Sequence, residues 1–191
     1  MSKKLKIVSI SSEVAPFSKT GGLGDVARSL PKAIKRLGHD VVVITPLYDQ
    51  IVDKEAHKLK LVYENVNVYL NSEESVTVNY WLGSLMSGLP VYFVDCKKYF
   101  SQKKTLYGST HENARFLVFD VAALKLISVL KYEADIVHCH DWHTAVIPAY
   151  IKTRLAQTTQ WRRMHTLLTI HNLAFQGRYR ARFLPYTGLS A

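Results

Sequence analysis

Two uninterrupted apolar runs constrain the fold of this chain most strongly, because neither alternates between apolar and polar residues. LKIVSIS (5–11) and DVVVITP (40–46) are rich in β-branched residues, and a helical pattern lies between them. Such runs are typical of strands in parallel sheets, which are covered on both faces. Two further strand candidates, ADIVHCHD (134–141) and TLLTIHN (166–172), also flank a helical pattern. This rhythm predicts an open, doubly wound, mainly parallel α/β sheet.

The middle of the chain has a different pattern. LVYENVNVYL (61–70), VTVNYWLGS (76–84) and LPVYFVDC (89–96) are separated by short polar or glycine-containing connections. Closely spaced strands of this kind predict antiparallel hairpins inserted into the parallel sheet. The segment 97–110 has no periodicity and many lysines, so we expect a basic loop there.

Three segments have helical periodicity: 26–37, 112–131 and 142–156. Gly38 follows the first of them and marks its end. Pro31 lies inside that pattern and predicts a kink one turn earlier. The apolar positions of the first helix are Val26, Leu30, Ala33, Ile34 and Leu37.

Charge and cysteine content exclude several classes of protein. The 191 residues carry a formal net charge of +10 and two cysteines, Cys96 and Cys139, both within apolar strand candidates. This placement favours buried thiols over a disulfide framework, so we expect a cytoplasmic protein. No run approaches the ~18 apolar residues of a membrane span. The basic residues are dispersed and form no nucleic-acid recognition motif, so a solvated basic surface is expected.

The segment KTGGLGD (19–25) places three glycines between the first strand and the first helix, with Lys19 before them and Asp25 after them. In open α/β sheets, ligands bind beyond the carboxyl ends of strands, where a helix N-terminus presents free N–H groups. The Walker and dinucleotide patterns do not fit, because the glycines fall at 21, 22 and 24 and Lys19 precedes them. Two interpretations stay open: a phosphate-binding loop, or a turn that only permits close helix–strand packing.

Polar side chains follow the strand candidate at 134–141. Strand alternation places His138 and His140 on one face of the strand. Cys139 and Asp141 fall on the other face, and this scattering disfavours a metal site. Asp141 is expected to accept hydrogen bonds from a hydroxylated ligand, to cap the following helix, or to do both.

The last strand candidate ends in the same way. In TIHN (169–172), polar residues appear as the apolar run stops. His171 and Asn172 then either anchor a loop or belong to one polar edge of the sheet. Several polar strand ends converge on that edge, which raises the weight of the second interpretation.

Five segments together resemble one family: KTGGLGDVARSLPKAI (19–34), GHDVVVITPLY (38–48), ENARFLVF (112–119), DIVHCHDWHTAVIPAYI (135–151) and TIHNLAFQG (169–177). Their order and spacing are similar to those of bacterial glycogen synthases and plant starch synthases, which are retaining glucosyltransferases of the two-domain GT-B architecture. The resemblance runs from about residue 5 to about residue 178 and implies that 1–191 is the N-terminal, acceptor-side, Rossmann-like half of a GT-B fold.

The resemblance also implies a reaction and a donor site. The reaction is transfer of glucose, with retention, from ADP-glucose to the 4-hydroxyl at the non-reducing end of an α-1,4-glucan. Lys19 matches a lysine that contacts ADP-glucose, and Asp25 matches an aspartate near the donor. Gly21 and Gly22 match the loop that approaches the phosphates.

Three further residues are assigned by resemblance at the other strand ends. Asp141 matches a carboxylate of the active centre, and His171 and Asn172 match residues near the donor glucose. Asp141 and His171 are therefore the catalytic candidates. No cofactor and no metal are expected, since positive side chains and a helix terminus neutralise the donor.

The sequence departs from the family in two respects. Glu112 stands where relatives often have aspartate, and Ser109 gives it the S-x-x-E spacing of a capping box. The arginine, lysine and glutamate motif of the family's second domain has no counterpart, and 173–191 ends without a closing helix or strand. We therefore expect a part of something larger, and an inefficient transferase in isolation.

Other functions stay open on the sequence alone. One is a GT-B transferase that uses UDP-glucose or another acceptor, because the donor base is expected to contact mostly the second domain. Another is a stand-alone glucan-binding or regulatory module. Nucleic-acid binding rests only on the net charge of +10, and the oligomeric state is undetermined.

Overall fold

The computed structural model describes residues 3–85, 88–101, 104–109 and 111–179, together with residues 187 and 189. The expectation for the final segment thus falls largely outside the described residues. The strands are β1 (Lys6–Ile10), β2 (Asp40–Pro46), β3 (Lys60–Tyr69), β4 (Ser75–Leu85), β5 (Leu89–Asp95), β6 (Ile136–His140) and β7 (His165–Thr169). The helices are α1 (Gly22–Arg36), α2 (Lys97–Phe100), α3 (Glu112–Val129), α4 (Val146–Lys152) and α5 (Thr159–Arg162), with a 3₁₀ turn at Trp142–Thr144.

These strands form one seven-stranded sheet in the order β3-β4-β5-β2-β1-β6-β7. Five consecutive strands of the sheet, β5, β2, β1, β6 and β7, run parallel to one another. β4 is antiparallel to both β3 and β5. The predicted mainly parallel α/β sheet with an inserted antiparallel hairpin region is therefore confirmed.

Successive strands are added to the sheet on one side of β1 first and on its other side later in the chain. From β1, α1 leads to β2 on one side, whereas β6, on the other side, follows only after the hairpin and α3. Parallel crossovers are right-handed, so α1 covers one face while α3 and α4, which contact each other, cover the opposite face. The carboxyl ends of β1 and β6 therefore flank a topological switch point, where open α/β sheets bind ligands.

The first helix forms where it was predicted but buries a different stripe. Its buried residues are Gly24, Ala27 and Pro31, whereas Leu37 is 77% exposed. Leu37 and the exposed Ala33 were thus wrongly predicted to belong to the apolar face, whereas Ile34 packs against the core. The helix is unbroken at Pro31 and ends before Gly38, whose φ of +95° suits the residue without a Cβ.

The predicted single helix over 142–156 is wrong. The 3₁₀ turn at Trp142–Thr144 is followed by a separate short helix, α4. Pro148 explains the break, since it has no N–H to donate to the Thr144 carbonyl and its ring would clash with that group. In α4, which begins at Val146, Pro148 lies in the first turn, where the N–H groups have no partner within the helix and a proline is well tolerated.

Two predictions around α3 also need correction. The segment 97–110 is not only a loop, because Lys97–Phe100 forms α2. Ser109 and Glu112 do not form a capping box: the N-cap residue is His111, and no side chain caps it. The Glu112 carboxylate instead accepts a 2.7 Å hydrogen bond from the Gly108 N–H.

The predicted helix over 112–131 is confirmed as α3, and it is buried nearly all round. Phe119, Leu126 and Ile127 have no exposed surface, and Phe116 is 2% exposed. Continuous burial follows from its position between the sheet and α4. None of the helices that the structure describes combines the length and apolar character that crossing a bilayer requires.

A matched pair of leucines tests this assignment of the core. Leu126→Ala should lower the free energy of unfolding by about 2–5 kcal/mol, because it empties a fully packed position. Leu37→Ala removes the same atoms from an exposed site and should change it by less than ~0.5 kcal/mol. Urea unfolding of both variants measures the difference, and equal losses would contradict the burial described.

Candidate functional site

A cavity of about 1100 Å³ lies at the carboxyl edge of the sheet, over the switch point. Its walls come from the loop after β1, the residues after β6 and β7, and the loop before α3. Five residues predicted from the sequence line it: Gly21, Gly22, Asp141, His171 and Asn172. Sequence positions 150 residues apart are thus brought to one site by the parallel topology.

The glycine loop is held by a buried carboxylate that the sequence analysis missed. Glu13 lies just after β1 and is 2% exposed. Its Oε2 accepts hydrogen bonds from the Thr20 N–H at 2.6 Å and the Thr20 hydroxyl at 3.0 Å. Its Oε1 accepts the Gly24 N–H at 3.1 Å. The only signal in the sequence was a single acidic residue directly after an apolar strand.

The three glycines have different roles. A Cβ at Gly21 or Gly22 would meet nothing within 4 Å, and both residues are exposed at the cavity. A Cβ at Gly24 would lie 3.2 Å from Lys19 carbons and 3.3 Å from the Ser18 carbonyl oxygen. Close packing therefore explains Gly24 but not the other two, which leave backbone open to a ligand.

The helix α1 presents free N–H groups to this cavity. Its N-cap is Gly21, and no side chain caps the helix. Of the N–H groups in its first turn, Gly24 is satisfied by Glu13. Within the described part of the chain, the N–H groups of Gly21, Gly22 and Leu23 have no such partner. Together with the positive end of the helix dipole, they can bind an anion.

Lys19 and Asp25, which were predicted near the donor, pair with each other. The Lys19 Nζ lies 2.7 Å from an Asp25 carboxylate oxygen, and both side chains are about half exposed. Neither residue lines the cavity. Exposed ion pairs of this kind contribute little to stability, so Lys19 can exchange this partner for a bound anion at low cost.

Asp141 adopts a strained backbone conformation. Its φ of 58° and ψ of −177° lie in a region that only glycine enters readily, at a cost of about 1–3 kcal/mol for other residues. Its Oδ1 accepts a 2.7 Å hydrogen bond from the His171 N–H, and its own N–H donates to the Thr169 carbonyl at 2.8 Å. The predicted side-chain cap on the next helix is therefore wrong, since the carboxylate faces the end of β7.

The histidines of β6 pair with residues at the end of β7. His138 Nε2 lies 2.8 Å from the Thr169 hydroxyl, and His140 Nδ1 lies 2.9 Å from His171 Nε2. The rings of His138 and His140 are 4.1 Å apart, on the common face predicted from strand alternation. Burial, His138 and His171 lower the pKa of His140 to about 3, so its ring is neutral.

A third buried histidine supports the aromatic wall. The His143 ring lies 4.5 Å from Phe116, 4.8 Å from Tyr107 and 4.1 Å from Trp142, measured between centroids. Burial and the Arg115 guanidinium lower the pKa of His143 to about 3. Tyr107 donates to or accepts from the Ser12 hydroxyl at 2.8 Å. The wall thus consists of packed aromatic rings, in which the Tyr107 hydroxyl is hydrogen-bonded and the buried His143 Nδ1 has no partner among the described residues.

The segment after β7 closes the other side of the cavity. Asn172 Oδ1 accepts the Ala174 N–H at 2.9 Å, which fixes an Asx turn. Gly177, at φ +59°, lies flat against Trp142, so that a Cβ there would come within 2.5 Å of the indole. Gly177 and the His143 ring thus both pack against the Trp142 indole, which also lines the cavity.

No group of three or more histidine, cysteine or acidic residues among the described residues could hold a metal ion. The site instead combines free N–H groups at a helix N-terminus, a carboxylate, imidazole rings and an aromatic wall. The first of these suits an anion, and the others suit a ligand with hydroxyl groups and apolar ring faces.

Comparison with known proteins gives a consistent result. The model of the starch synthase catalytic domain family matches residues 6–191. A glycogen synthase of Moorella thermoacetica is 38% identical over 190 residues, covering 100% of this chain and 38% of the relative. A glycogen synthase of Acholeplasma laidlawii is 40% identical over 176 residues, covering 92% of this chain and 36% of the relative.

A solved structure agrees with the sequence relatives. The catalytic domain of starch synthase IV from Arabidopsis thaliana, bound to ADP and acarbose, superposes with a TM-score of 0.90 at 34% identity. The match covers 98% of this chain and 38% of that chain. This chain thus spans about two fifths of the length of the proteins it matches.

The neutral histidines predict a pH-dependent stability. The pKa values of His140 and His143 fall from 6.5 to about 3 on folding, so between these limits only the unfolded chain binds the protons. The free energy of unfolding should therefore fall as the pH is lowered from 7 to 5, by on the order of 1–2 kcal/mol for each histidine.

Urea unfolding at both pH values measures this loss. His140→Phe and His143→Phe should each show a smaller loss than the wild type, whatever their stability at pH 7. His111→Phe, which removes an exposed imidazole, controls for the substitution. An unchanged pH dependence in both buried-site variants would show that the two rings are not neutral in the folded state.

Proposed function

The chain belongs to the starch synthase catalytic domain family, and we propose that it is the N-terminal, acceptor-side domain of a retaining, ADP-glucose-dependent glucan synthase. The reaction is transfer of glucose to the 4-hydroxyl at the non-reducing end of an α-1,4-glucan. The matched relatives are glycogen and starch synthases, and one of them was solved with ADP and acarbose bound.

The observation that carries the proposal is the open helix N-terminus at the switch point. The N–H groups of Gly21, Gly22 and Leu23 face a cavity large enough for a nucleotide sugar. A diphosphate seated there is stabilised by these donors and by the helix dipole. The missing Cβ atoms of Gly21 and Gly22 let its oxygens reach the backbone.

Lys19 supplies the mobile charge in this proposal. In the structure it pairs with Asp25 and directly precedes Thr20, a residue that lines the cavity. When the diphosphate binds, the lysine turns from the carboxylate to the more highly charged phosphate oxygens. Asp25 then acts as the resting partner that keeps the lysine close to the loop.

Asp141, His171 and Asn172 surround the sugar in this proposal. Asp141 uses Oδ1 to hold the His171 N–H, which leaves Oδ2 for a hydroxyl of the ligand. Positive charge develops on the glucose ring as the bond to the diphosphate breaks, and a buried carboxylate nearby stabilises it. The Asn172 side chain lines the same cavity and offers its amide N–H groups.

A second domain completes the enzyme in this proposal. The chain spans about two fifths of the length of its relatives. In the GT-B architecture the donor lies between two domains, so the base and part of the diphosphate would contact residues beyond this domain. We therefore propose that the 191-residue chain alone transfers glucose poorly, and that the enzyme acts in the cytoplasm.

The proposal predicts a specific loss on removing Lys19. In the product of the complete gene, Lys19→Ala should weaken ADP-glucose binding about tenfold, because a charge-assisted hydrogen bond to phosphate is lost. Incorporation of labelled glucose into glycogen, measured over a range of ADP-glucose concentrations, gives KM and kcat. UDP-glucose in parallel tests the donor.

Lys4→Ala is the matched control. Lys4 forms a similar exposed ion pair, 2.9 Å from Asp40, but lies before β1, at the opposite edge of the sheet. Its removal should leave KM unchanged. Transfer from UDP-glucose alone would make the chain part of another GT-B transferase, and no transfer from either donor would favour a glucan-binding module. Either result overturns the proposal.

A further inference from the structure

We infer that His140 and Ser9 fix the proton of His171 on Nδ1, so that His171 presents a hydrogen-bond donor to the ligand. Both are positioning residues that act through His171. The inference rests on the proposed function only for the identity of the ligand that receives this hydrogen bond.

The contacts join three side chains that lie on, or just after, three neighbouring strands, β1, β6 and β7. Ser9, on β1, has its hydroxyl oxygen 3.2 Å from His140 Nε2. His140, at the end of β6, has its other ring nitrogen, Nδ1, 2.9 Å from His171 Nε2. The rings of His140 and His171 are nearly parallel, at 19°. Ser9 and His140 are 2% and 0% exposed, so water does not compete for these contacts.

Only two proton arrangements satisfy both contacts while the His140 ring is neutral. A neutral imidazole has one N–H donor and one bare nitrogen. If Ser9 donates to His140 Nε2, then His140 Nδ1–H donates to His171 Nε2. If Ser9 accepts instead, His140 Nδ1 is bare and His171 Nε2 must carry the proton. The tautomer of His171 therefore depends on whether the Ser9 hydroxyl donates or accepts the hydrogen bond to His140.

The burial of Ser9 selects the first arrangement. Its hydroxyl has His140 as its only side-chain partner among the described residues. A Ser9 hydroxyl that only accepted would leave its own O–H buried without an acceptor, at a cost of about 1–3 kcal/mol. Donation to His140 avoids this cost. Burial also keeps His140 neutral by lowering its pKa to about 3, so both contacts persist at physiological pH.

This proton arrangement determines which group His171 presents to the ligand. With its Nε2 accepting from His140, the His171 ring carries its proton on Nδ1, which has no partner among the described residues. The ring lines the cavity, and its main-chain N–H is held by Asp141. His171 therefore donates a hydrogen bond to an oxygen of the ligand and does not act as a base towards it.

Long-range proton–nitrogen-15 spectra of histidine-labelled protein test this directly, because the two tautomers give different nitrogen shifts. The sequence has eight histidines, and the signal that disappears in His171→Gln is the one assigned to His171. In the wild type, His171 should be a single Nδ1–H tautomer at neutral pH. In Ser9→Ala and His140→Phe, a mixture with the Nε2–H tautomer should replace it.

Two further variants separate positioning from simple structural damage. His140→Asn places an amide donor where Nδ1 was, and it should restore the Nδ1–H tautomer that His140→Phe loses. Thr169→Val removes the partner of His138 on the same pair of strands, and it should leave the His171 signal unchanged. Ser9→Ala is the smallest change and keeps the test usable where His140→Phe does not fold.

Failure of this inference and failure of the proposed function give different experimental results. An Nε2–H tautomer in the wild type, or a His171 signal that His140→Phe and Ser9→Ala leave unchanged, overturns the inference. A confirmed Nδ1–H tautomer in a protein whose complete gene product transfers no glucose would overturn the proposed function alone. In an active enzyme, Ser9→Ala should lower kcat several-fold with a smaller change in KM.

Discussion

The buried carboxylate of Glu13 holds the glycine loop, and the geometry of the candidate site depends on it. A carboxylate that is 2% exposed is unfavourable unless hydrogen bonds compensate for lost hydration. Here the Thr20 N–H, the Thr20 hydroxyl and the Gly24 N–H provide them. They fix a glycine-rich loop that would otherwise sample many conformations. Glu13 accepts the Gly24 N–H, whereas the N–H groups of Gly21, Gly22 and Leu23 have no partner within the described part of the chain.

The sheet topology places a second rigid element opposite this loop. Right-handed crossovers leave a crevice between the carboxyl ends of β1 and β6, and both strands end there in polar residues. Asp141 accepts a strained backbone conformation, which its hydrogen bonds to the main chain of β7 and His171 maintain. Strain of this kind persists only where the surroundings impose it. The same contacts that maintain it orient the carboxylate and the imidazole.

Local patterns in the sequence were enough to predict the sheet and its inserted hairpins. They also drew attention to the glycine loop and the polar strand ends, but the roles of those residues were assigned only by resemblance. Continuous apolar runs gave the parallel strands, and the shared edge of those strands brought Gly21, Asp141 and His171 together. The errors arose where one residue overrides a pattern, as Pro148 does in the predicted helix over 142–156. Contacts between distant residues left no local signal, and Ser9 and His140, 131 positions apart, are an example.

A titration of nitrogen-15-labelled protein with ADP tests most directly whether the loop amides bind a diphosphate. The amide resonances of Gly21, Gly22 and Leu23 should shift more than those of other residues, and adenosine, which has no phosphate, should leave them in place. These amides have free N–H groups at the start of α1, so a bound anion changes their surroundings first. Shifts confined to other parts of the chain, or equal shifts with adenosine, would contradict a phosphate-binding role for the loop.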